Sequence, residues 1–355
     1  MISNINLRQF RSYLNQSFEF DNGVNIIVGP NGSGKTNLLE AIHLISLSKT
    51  FRPVSLRDLV MGGKDSLKIS SLDDKDLNRT LIIKNEEDKT YKEYSVNDVK
   101  YKRLGLEKTI PVVLFEPTHM SIFSGSPEKR RKYFDDLIEK VSPGYDTIRN
   151  KYSRTLIQRN NLLKKHGLSR DELFAWNIKL SDLASQIIEN RHSLIDELNK
   201  DINQIYNQIS ANKPKYEIEI KYLSKWDKPN YSSKMLKHLQ DNIELEMITG
   251  YTQVGPHKED IKIYLNNKDS TIIASRGENR TLVLALKIQE LGYVERVRQQ
   301  KPILLLDDVF SELDGKRRKH LTKLIEEHQV FITTTDADLV INNFNSFNII
   351  PIRPN

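Results

Sequence analysis

The stretch from residue 29 to residue 36 constrains this chain more than any other, because it matches the pattern G-x-x-x-x-G-K-[ST]. Its residues are Gly29, Pro30, Asn31, Gly32, Ser33, Gly34, Lys35 and Thr36. In such a P-loop the glycines turn backbone N–H groups toward phosphate oxygens, the lysine reaches the β- and γ-phosphates, and the hydroxyl holds Mg²⁺. The pattern predicts an ATP and Mg²⁺ site, and Asn37, the next residue, is expected among its nucleotide contacts.

The residues on either side of this loop fit a strand and a helix. The run from residue 24 to residue 28 is short, apolar and rich in β-branched side chains, which predicts a buried strand. After the loop, apolar residues recur at helical spacing as Leu38, Leu39, Ile42 and Ile45. The alternative is a glycine-rich turn that caps an ordinary helix. The order strand, loop and helix favours the P-loop.

Composition limits the classes of protein that need be considered. The 355 residues suffice for two domains or for one core with a large insertion. The chain has no cysteine, which excludes disulfides and thiolate metal sites. It has neither an apolar signal region nor an apolar run near the roughly 18 residues that span a bilayer. We expect a cytoplasmic chain without a membrane span, and the net charge of +7 favours a polyanionic partner.

The pattern along the chain predicts an α/β fold with an inserted helical lobe. Strand patterns precede and follow the P-loop, whereas residues 127–210 have helical periodicity, with Pro127 suited to a first helical position. We therefore assign residues 1–117 and 245–355 to one head and residues 118–244 to the lobe. Most of the net positive charge lies in the lobe.

An apolar strand that ends in two acids supplies the second half of the predicted site. Residues 303–306 are apolar, and Asp307 and Asp308 follow them. In P-loop ATPases the first acid supports Mg²⁺, and a second acid orients or deprotonates the attacking water. We assign Asp307, with Thr36, to the metal, and Asp308, with Lys35, to catalysis. The alternative is two solvated carboxylates at a strand end.

A Ser-x-Gly turn stands upstream of that strand. Ser275, Gly277 and Glu278 belong to it, and Ser275 with Glu278 also fits an ordinary capping box. Such a turn at a helix N-terminus presents N–H groups to a phosphate. The order of P-loop, insertion, Ser-x-Gly-Glu, strand-Asp-Asp and Ser-x-Leu-Asp resembles an ABC-type P-loop ATPase head, a mixed sheet with helices. That resemblance implies that Ser275, Gly277 and Glu278 complete the ATP site of a second copy in a two-fold homodimer.

Further motifs spread over nearly the whole chain point to one family. They are Leu7–Tyr13, Gly32–Ile42, Lys49–Arg52, Gly125–Pro127 with Arg130 and Arg131, Gly255–Lys258 and Leu306–Asp314. Together they resemble the RecF family of bacterial recombination mediators.

The chain departs from that family at three places. Glu278 and Asn279 stand where glutamine is more usual. Thr118 and His119 replace a Glu-Asp pair, so no γ-phosphate-sensing acid is assigned there. Residues 333–336 replace the usual switch histidine of ABC-type ATPases, and their threonines are either a polar substitute or an ordinary edge-strand run.

The resemblance implies an ATP-dependent DNA-binding dimer with slow ATPase activity. It would recognise duplex DNA near single-strand gaps and work with RecR and RecO in loading RecA. It also implies that Arg11 contacts adenine or phosphate, against the alternative of an ordinary surface arginine.

Several basic clusters are candidates for contact with DNA phosphates. The first is Lys129, Arg130, Arg131 and Lys132 at the start of the lobe, and Arg52 and residues 316–319 are others. Each charge run also fits a solvated helix face. No recognition helix is evident, so we expect binding through backbone phosphates without strong sequence preference.

The main alternative is the nucleotide-binding subunit of an ABC transporter, which shares the fold. The Ser-Arg-Gly-Glu turn in place of Leu-Ser-Gly-Gly, the basic lobe and the full-length resemblance all disfavour it. A second alternative is an SMC-type clamp or a fused nuclease, but the chain has neither long heptad arms nor a separate acidic metal cluster.

Overall fold

The structure is a computed structural model and describes residues 1–74, 76–87, 89–165, 170–210 and 216–353. Its strands are β1 (Ile2–Phe10), β2 (Tyr13–Glu19), β3 (Val24–Val28), β4 (Ser66–Asp73), β5 (Asn78–Glu86), β6 (Lys89–Val96), β7 (Val99–Tyr101), β8 (Val112–Phe115), β9 (Ile218–Leu223), β10 (Asp260–Leu265), β11 (Lys268–Asp269), β12 (Ile303–Asp307), β13 (Val330–Thr334) and β14 (Asn348–Pro351).

Its helices are α1 (Lys35–Leu47), α2 (Pro127–Val141), α3 (Tyr145–Leu163), α4 (Arg170–Ser210), α5 (Tyr231–Asp241), α6 (Ile243–Thr249), α7 (Ser270–Ile273), α8 (Arg276–Arg298), α9 (Val309–Glu312), α10 (Gly315–Ile325) and α11 (Ala337–Ile341). The described chain forms two compact units, residues 1–119 with 290–355 and residues 120–289.

A parallel sheet in the first unit positions the predicted nucleotide residues. Its strand order is β14-β3-β13-β12-β8, and every pairing in it is parallel. Strands β3, β12 and β13 are short, mainly apolar and buried, as expected for the inner strands of a sheet covered on both faces. The carboxyl ends of β3, β13, β12 and β8 therefore share one edge, where ligands of open α/β sheets bind.

An antiparallel sheet with the order β2-β1-β4-β5-β6-β7 completes the first unit. Its strands alternate buried apolar with exposed polar residues, so one face belongs to the core and the other faces water. Helix α1 contacts strands of both sheets. The predicted stripe Leu38, Leu39, Ile42 and Ile45 is fully buried, which confirms the predicted strand, loop and helix.

The second unit is mainly helical. Helix α2 begins at Pro127 as predicted, and α4 extends unbroken over 41 residues. Strands β9, β10 and β11 form a small antiparallel sheet. Strand β9 was not predicted, although residues 218–223 alternate in burial as a strand does. Residues 245–289 belong to the second compact unit. The assignment of residues 118–244 to a lobe and 245–289 to the head stays a prediction.

Candidate nucleotide-binding site

The backbone of the P-loop requires glycine at two positions. Gly32 and Gly34 have φ of +80° and +106°, in the left-handed region that side chains disfavour. A Cβ on Gly34 would lie 2.9 Å from Ser12 Oγ and 3.0 Å from Tyr13 Oη. The Tyr13 hydroxyl donates to Gly34 O at 3.0 Å. Ser12 and Tyr13 thus hold the loop from outside, a role that the sequence analysis did not assign although both lie in a family motif.

Lys35 lies across the loop that it follows. Its ammonium donates to Gly29 O at 2.8 Å and to Pro30 O at 2.9 Å. Burial lowers the pKa of Lys35, and the carboxylates of Asp308 and Asp307 oppose that shift. The positive charge is therefore held at the mouth of the loop.

The loop also contains a buried hydroxyl with unused hydrogen-bonding capacity. Among the described residues, Ser33 Oγ has no hydrogen-bond partner. It lies 2.6 Å from where a Cβ on Gly29 would be, so glycine at position 29 leaves room for it. Helix α1 starts directly after Gly34, and its first turn contains no acid of its own. This arrangement suits an anion.

Thr36 and Asp307 lie together, although 271 residues separate them. Thr36 Oγ1 donates to Asp307 Oδ1 at 3.0 Å. Hydroxyl and carboxylate oxygens are the hard ligands that Mg²⁺ prefers, and Mg²⁺ usually takes few protein ligands beside substrate phosphates and water. Within the described residues no group of three or more His, Asp or Glu could hold a metal alone. The pair therefore fits a metal that is shared with a nucleotide.

Asp308 occupies a strained position at the end of β12. Its φ is +52°, and its N–H donates to Thr333 Oγ1 at 2.9 Å. The Ser311 hydroxyl donates to Asp308 O at 2.7 Å. Burial first, and then the neighbouring Asp307, raise the pKa of the Asp308 carboxyl. A carboxylate with a raised pKa is a stronger base, which suits the predicted role.

Thr333 joins the two acids. Its hydroxyl donates to Asp307 Oδ1 at 2.7 Å and accepts from the Asp308 N–H. The edge-strand alternative for this threonine run is wrong, because β13 lies between β3 and β12 inside the sheet. The sequence signal was a polar run directly after an apolar strand.

Glu116 was not among the predicted site residues. It follows β8, the strand that pairs with β12, so it lies at the same sheet edge as Asp307. The Thr118 hydroxyl donates to the Glu116 carboxylate, and the Glu116 N–H donates to His119 Nδ1 at 3.1 Å. The chain lacks an acid at positions 118 and 119, but a carboxylate stands shortly before them. The signal was again an apolar strand that ends in an acid.

Arg11 is held by a buried carboxylate. Its Nε and one Nη donate to Glu40 at 2.9 and 3.1 Å, and Glu40 is fully buried. Arg52 contacts the same carboxylate and donates to Asn37 Oδ1 at 3.0 Å. The guanidinium of Arg11 is thus fixed beside the start of α1. Nucleotide contact by Arg11 and Asn37 stays a prediction.

The Ser-x-Gly turn belongs to the second unit and forms the capping box. Ser275 N–H and Oγ donate to Glu278 Oε2 at 2.8 and 2.7 Å, and Ser275 Oγ accepts from the Glu278 N–H at 3.3 Å. The Tyr216 hydroxyl donates to the other Glu278 oxygen at 2.9 Å. The capping box fixes Ser275 and Gly277 at the start of α8. Completion of a second copy's site stays a prediction.

The basic cluster on α2 divides into buried and exposed members. Arg130 is only 5% exposed, and two of its nitrogens donate to Asp260 at 2.8 and 2.7 Å. Arg131 is half-buried and donates to Glu259 O. Lys129 and Lys132 are exposed. Arg130 therefore does not fit the predicted contact with DNA, because its charge is already used inside the unit.

Comparison with known proteins agrees with this geometry. The family model described as RecF/RecN/SMC N terminal domain matches residues 1–352. The DNA replication and repair protein RecF of Heliobacterium modesticaldum is 35% identical over 344 residues, which cover 94% of this chain and 92% of that protein. The protein of the same name from Clostridium beijerinckii is 33% identical over 334 residues, 94% of this chain and 91% of that protein. This chain belongs to the RecF family.

Solved structures extend the comparison to three dimensions. A recombination mediator protein RecF-ATPrS in the RecFOR pathway matches with a TM-score of 0.86 and 33% identity, over 96% of this chain and 94% of that chain. An Smc head bound to the C-winged helix domain of ScpA matches with a TM-score of 0.54 and 16% identity, over 99% of this chain and 95% of that chain, and shows the fold alone. The predicted ABC-type ATPase fold is confirmed. Among the described helices, none is long and apolar enough to span a bilayer.

Proposed function

We propose that this chain is an ATP-dependent recombination mediator that dimerises on ATP and binds duplex DNA at single-strand gaps. With RecR and RecO it helps to load RecA, and slow, DNA-stimulated ATP hydrolysis resets it. The observation that carries the proposal is the contact of Thr36 with Asp307 beside the P-loop. Family membership and the match to solved RecF proteins whose descriptions name ATP and the RecFOR pathway support it.

Phosphate binding in this proposal uses groups of the P-loop and of the start of α1. The Lys35 ammonium exchanges Gly29 O and Pro30 O for phosphate oxygens. The Ser33 hydroxyl and the N–H groups at the start of α1 donate to the same phosphates. Mg²⁺, when bound, would neutralise charge that develops on the phosphates, with Thr36 and Asp307 as its protein partners.

Hydrolysis is assigned to Asp308. Its carboxylate accepts the proton of the attacking water, and its raised pKa favours that transfer. Thr333 contacts both the Asp308 backbone and the Asp307 carboxylate, so it fixes the position of the base relative to the metal-binding residue. Loss of the γ-phosphate then ends the ATP-dependent state.

Dimerisation is assigned to the turn from Ser275 to Gly277. In the proposal this turn meets the γ-phosphate that is bound to the P-loop of a second copy. Because ATP contacts both surfaces only in the closed pair, it stabilises the dimer by mass action.

The test is light scattering of the full chain with and without ATP and Mg²⁺. We expect one chain of 41.2 kDa without nucleotide and twice that mass with ATP. Lys35→Ala should weaken ATP binding on the order of 10- to 100-fold, since it removes a charge-assisted contact. Ser275→Arg should bind ATP normally and remain monomeric. A Ser275→Arg variant that dimerised like the wild type would contradict the shared site.

DNA binding is tested with the same proteins. Gapped duplex, blunt duplex and single strands are titrated with ATP, with ADP and without nucleotide. We expect the tightest binding to gapped duplex with ATP, and weakening of all binding as salt rises. Binding that ignored both nucleotide and salt would contradict the proposal.

A further inference from the structure

The outer face of the antiparallel sheet in the first unit carries three exposed cations that the strand register brings together. Arg8 on β1 lies directly opposite Lys68 on β4. Lys84 on β5 lies opposite Ser66, two residues from Lys68 along β4. Neighbours of that kind are within about 5 to 8 Å across strands. The three side chains therefore form one cationic cluster.

None of these cations is neutralised within the described residues. No carboxylate there forms an ion pair or hydrogen bond with Arg8, Lys68 or Lys84, and all three are exposed. The two acids nearest to Lys84 on this face, Glu86 and Glu93, each have another lysine beside them, since Lys100 pairs with Glu93 at 3.0 Å and Lys89 lies opposite Glu86. The cationic cluster is thus a local excess of positive charge.

The position of Arg8 and Lys68 is unfavourable for the isolated sheet. Like charges directly opposite each other across two strands destabilise the pairing. Both residues point away from the core, since the core-facing residues are the alternate ones, such as Leu7 and Ile69. An anion bound over the pair would offset the repulsion.

A row of neutral hydrogen-bonding side chains runs beside the cationic cluster. The register aligns it across five strands as Ser17, Asn6, Ser70, Thr80 and Ser95. Arg and Lys together with Ser, Thr and Asn are the side chains that contact phosphate and sugar oxygens in protein–DNA complexes. At about 4.8 Å per strand the row is roughly 20 Å long, which matches several nucleotides of a strand.

We propose that this sheet face, with Arg8, Lys68 and Lys84 at its centre, binds the phosphate backbone of nucleic acid. The inference rests on the proposed DNA-binding function and names the surface that performs it. The face binds without sequence preference, because its aligned side chains contact phosphates and none of its strands enters a DNA groove. The face also carries Ile82 opposite Lys68 and Tyr91 opposite Lys84. The row beside the cations is polar throughout, which favours nucleic acid over a lipid surface.

The experiment compares two single substitutions on the same sheet face. Lys68→Gln removes a cation that has no acidic partner, and Lys100→Gln removes one that is paired with Glu93. Duplex affinity is measured from low to high salt with ATP present. We expect Lys68→Gln to reduce the log–log salt slope by about 0.9 and Arg8→Gln/Lys68→Gln/Lys84→Gln to reduce it by about 2.7, with Lys100→Gln close to wild type.

Measurements of melting temperature and of vesicle binding distinguish failure of this surface from failure of the proposed function. The melting temperature of Lys68→Gln should equal or exceed that of the wild type, because a like-charge contact is relieved. If Lys68→Gln and the triple variant keep the wild-type salt slope, this surface is wrong while the proposed function stands. If wild type binds no duplex with any nucleotide, the proposed function itself fails. If the triple variant lost binding to phosphatidylserine vesicles but bound DNA like the wild type, the face would be assigned to lipid and the inference would be overturned.

Discussion

The two acids beside the P-loop and the buried acids of the second unit are held in opposite ways. Within the described residues, Asp307 and Asp308 of the first unit have no ion pair. Asp307, which is half-buried, accepts hydrogen bonds from the Thr36 and Thr333 hydroxyls, and Asp308 is exposed. The charge of Lys35 acts on both carboxylates. Asp135 and Glu246 of the second unit are each paired with a buried arginine. The same residue types have no cationic partner beside the P-loop and are neutralised by arginine in the interior of the second unit.

The network of the second unit is satisfied from within. Arg191 donates two hydrogen bonds of 2.9 Å to Asp135, and one each to the Tyr222 hydroxyl at 3.1 Å and Pro256 O at 2.8 Å. Asp135 holds the pKa of Arg191 well above its usual value against the effect of burial. A buried charge of this kind has no capacity left for a ligand.

The difference teaches how to distinguish a site from a scaffold. An acid that has no cation of its own and lies beside a P-loop can share a cation that arrives with the nucleotide. The buried acid–arginine pairs of the second unit are elements of structure, costly to break and expected to be indifferent to nucleotide. Substitutions in the two units should therefore separate turnover from stability.

Asp308→Asn is expected to have the largest effect of these substitutions. Hydrolysis should fall by roughly 100- to 10,000-fold, as when a general base is removed. Asparagine tolerates the left-handed backbone of this position, so the unfolding free energy should change little. Steady-state phosphate release and urea denaturation measure the two quantities. Normal hydrolysis in this variant would remove Asp308 from the role of base.

Arg191→Leu tests the buried acid–arginine pairs of the second unit. It leaves Asp135 buried without its strongest partner, which should cost about 3 to 5 kcal/mol of unfolding free energy. ATP affinity, measured with a fluorescent analogue, should stay within about twofold of wild type in the folded protein, since the network has no role in phosphate binding. The double variant Asp135→Leu/Arg191→Leu should recover part of the stability. A stable Arg191→Leu variant with impaired ATP binding would reverse the assignment.

His257 gives the same unit a dependence on pH. Its Nδ1 lies 2.7 Å from the Tyr152 hydroxyl, and burial lowers its pKa to about 4, with Lys258, Arg131 and Arg191 adding to the effect. Because the unfolded chain takes up this proton near pH 6.5, stability is fully present above that pH and falls as pH drops to about 4.

This proton uptake should account for roughly 3 kcal/mol of the loss between pH 7 and pH 4. Urea denaturation at a series of pH values measures it, and His257→Gln should flatten the profile by that amount. His238→Gln, which alters a histidine outside this network, should flatten it less. Equal profiles for wild type and His257→Gln would contradict the buried neutral imidazole.

The sequence was sufficient for the fold and for the contacts that motifs encode. The P-loop, the strand before Asp307 and the meeting of Thr36 with Asp307 all follow from local patterns and from strand order. It was insufficient for Arg130, because a basic run does not tell which side chain faces the carboxylate of Asp260, 130 residues away. Such pairings depend on tertiary packing, which a charge pattern does not contain.

Substitution of Thr333 is expected to have the smallest effect, and it tests most directly how Asp307 and Asp308 are held in place. Thr333→Val keeps the shape of the side chain but removes the hydroxyl that contacts Asp307 and the Asp308 N–H. We expect hydrolysis to slow by roughly tenfold, which corresponds to about 1.4 kcal/mol, with ATP affinity near wild type. Thr333→Ser keeps the hydroxyl and should stay close to wild type in single-turnover hydrolysis. If valine and serine gave equal rates, the acids would be positioned by the strand alone, and the hydroxyl between them would be structural like the arginine pairs of the second unit.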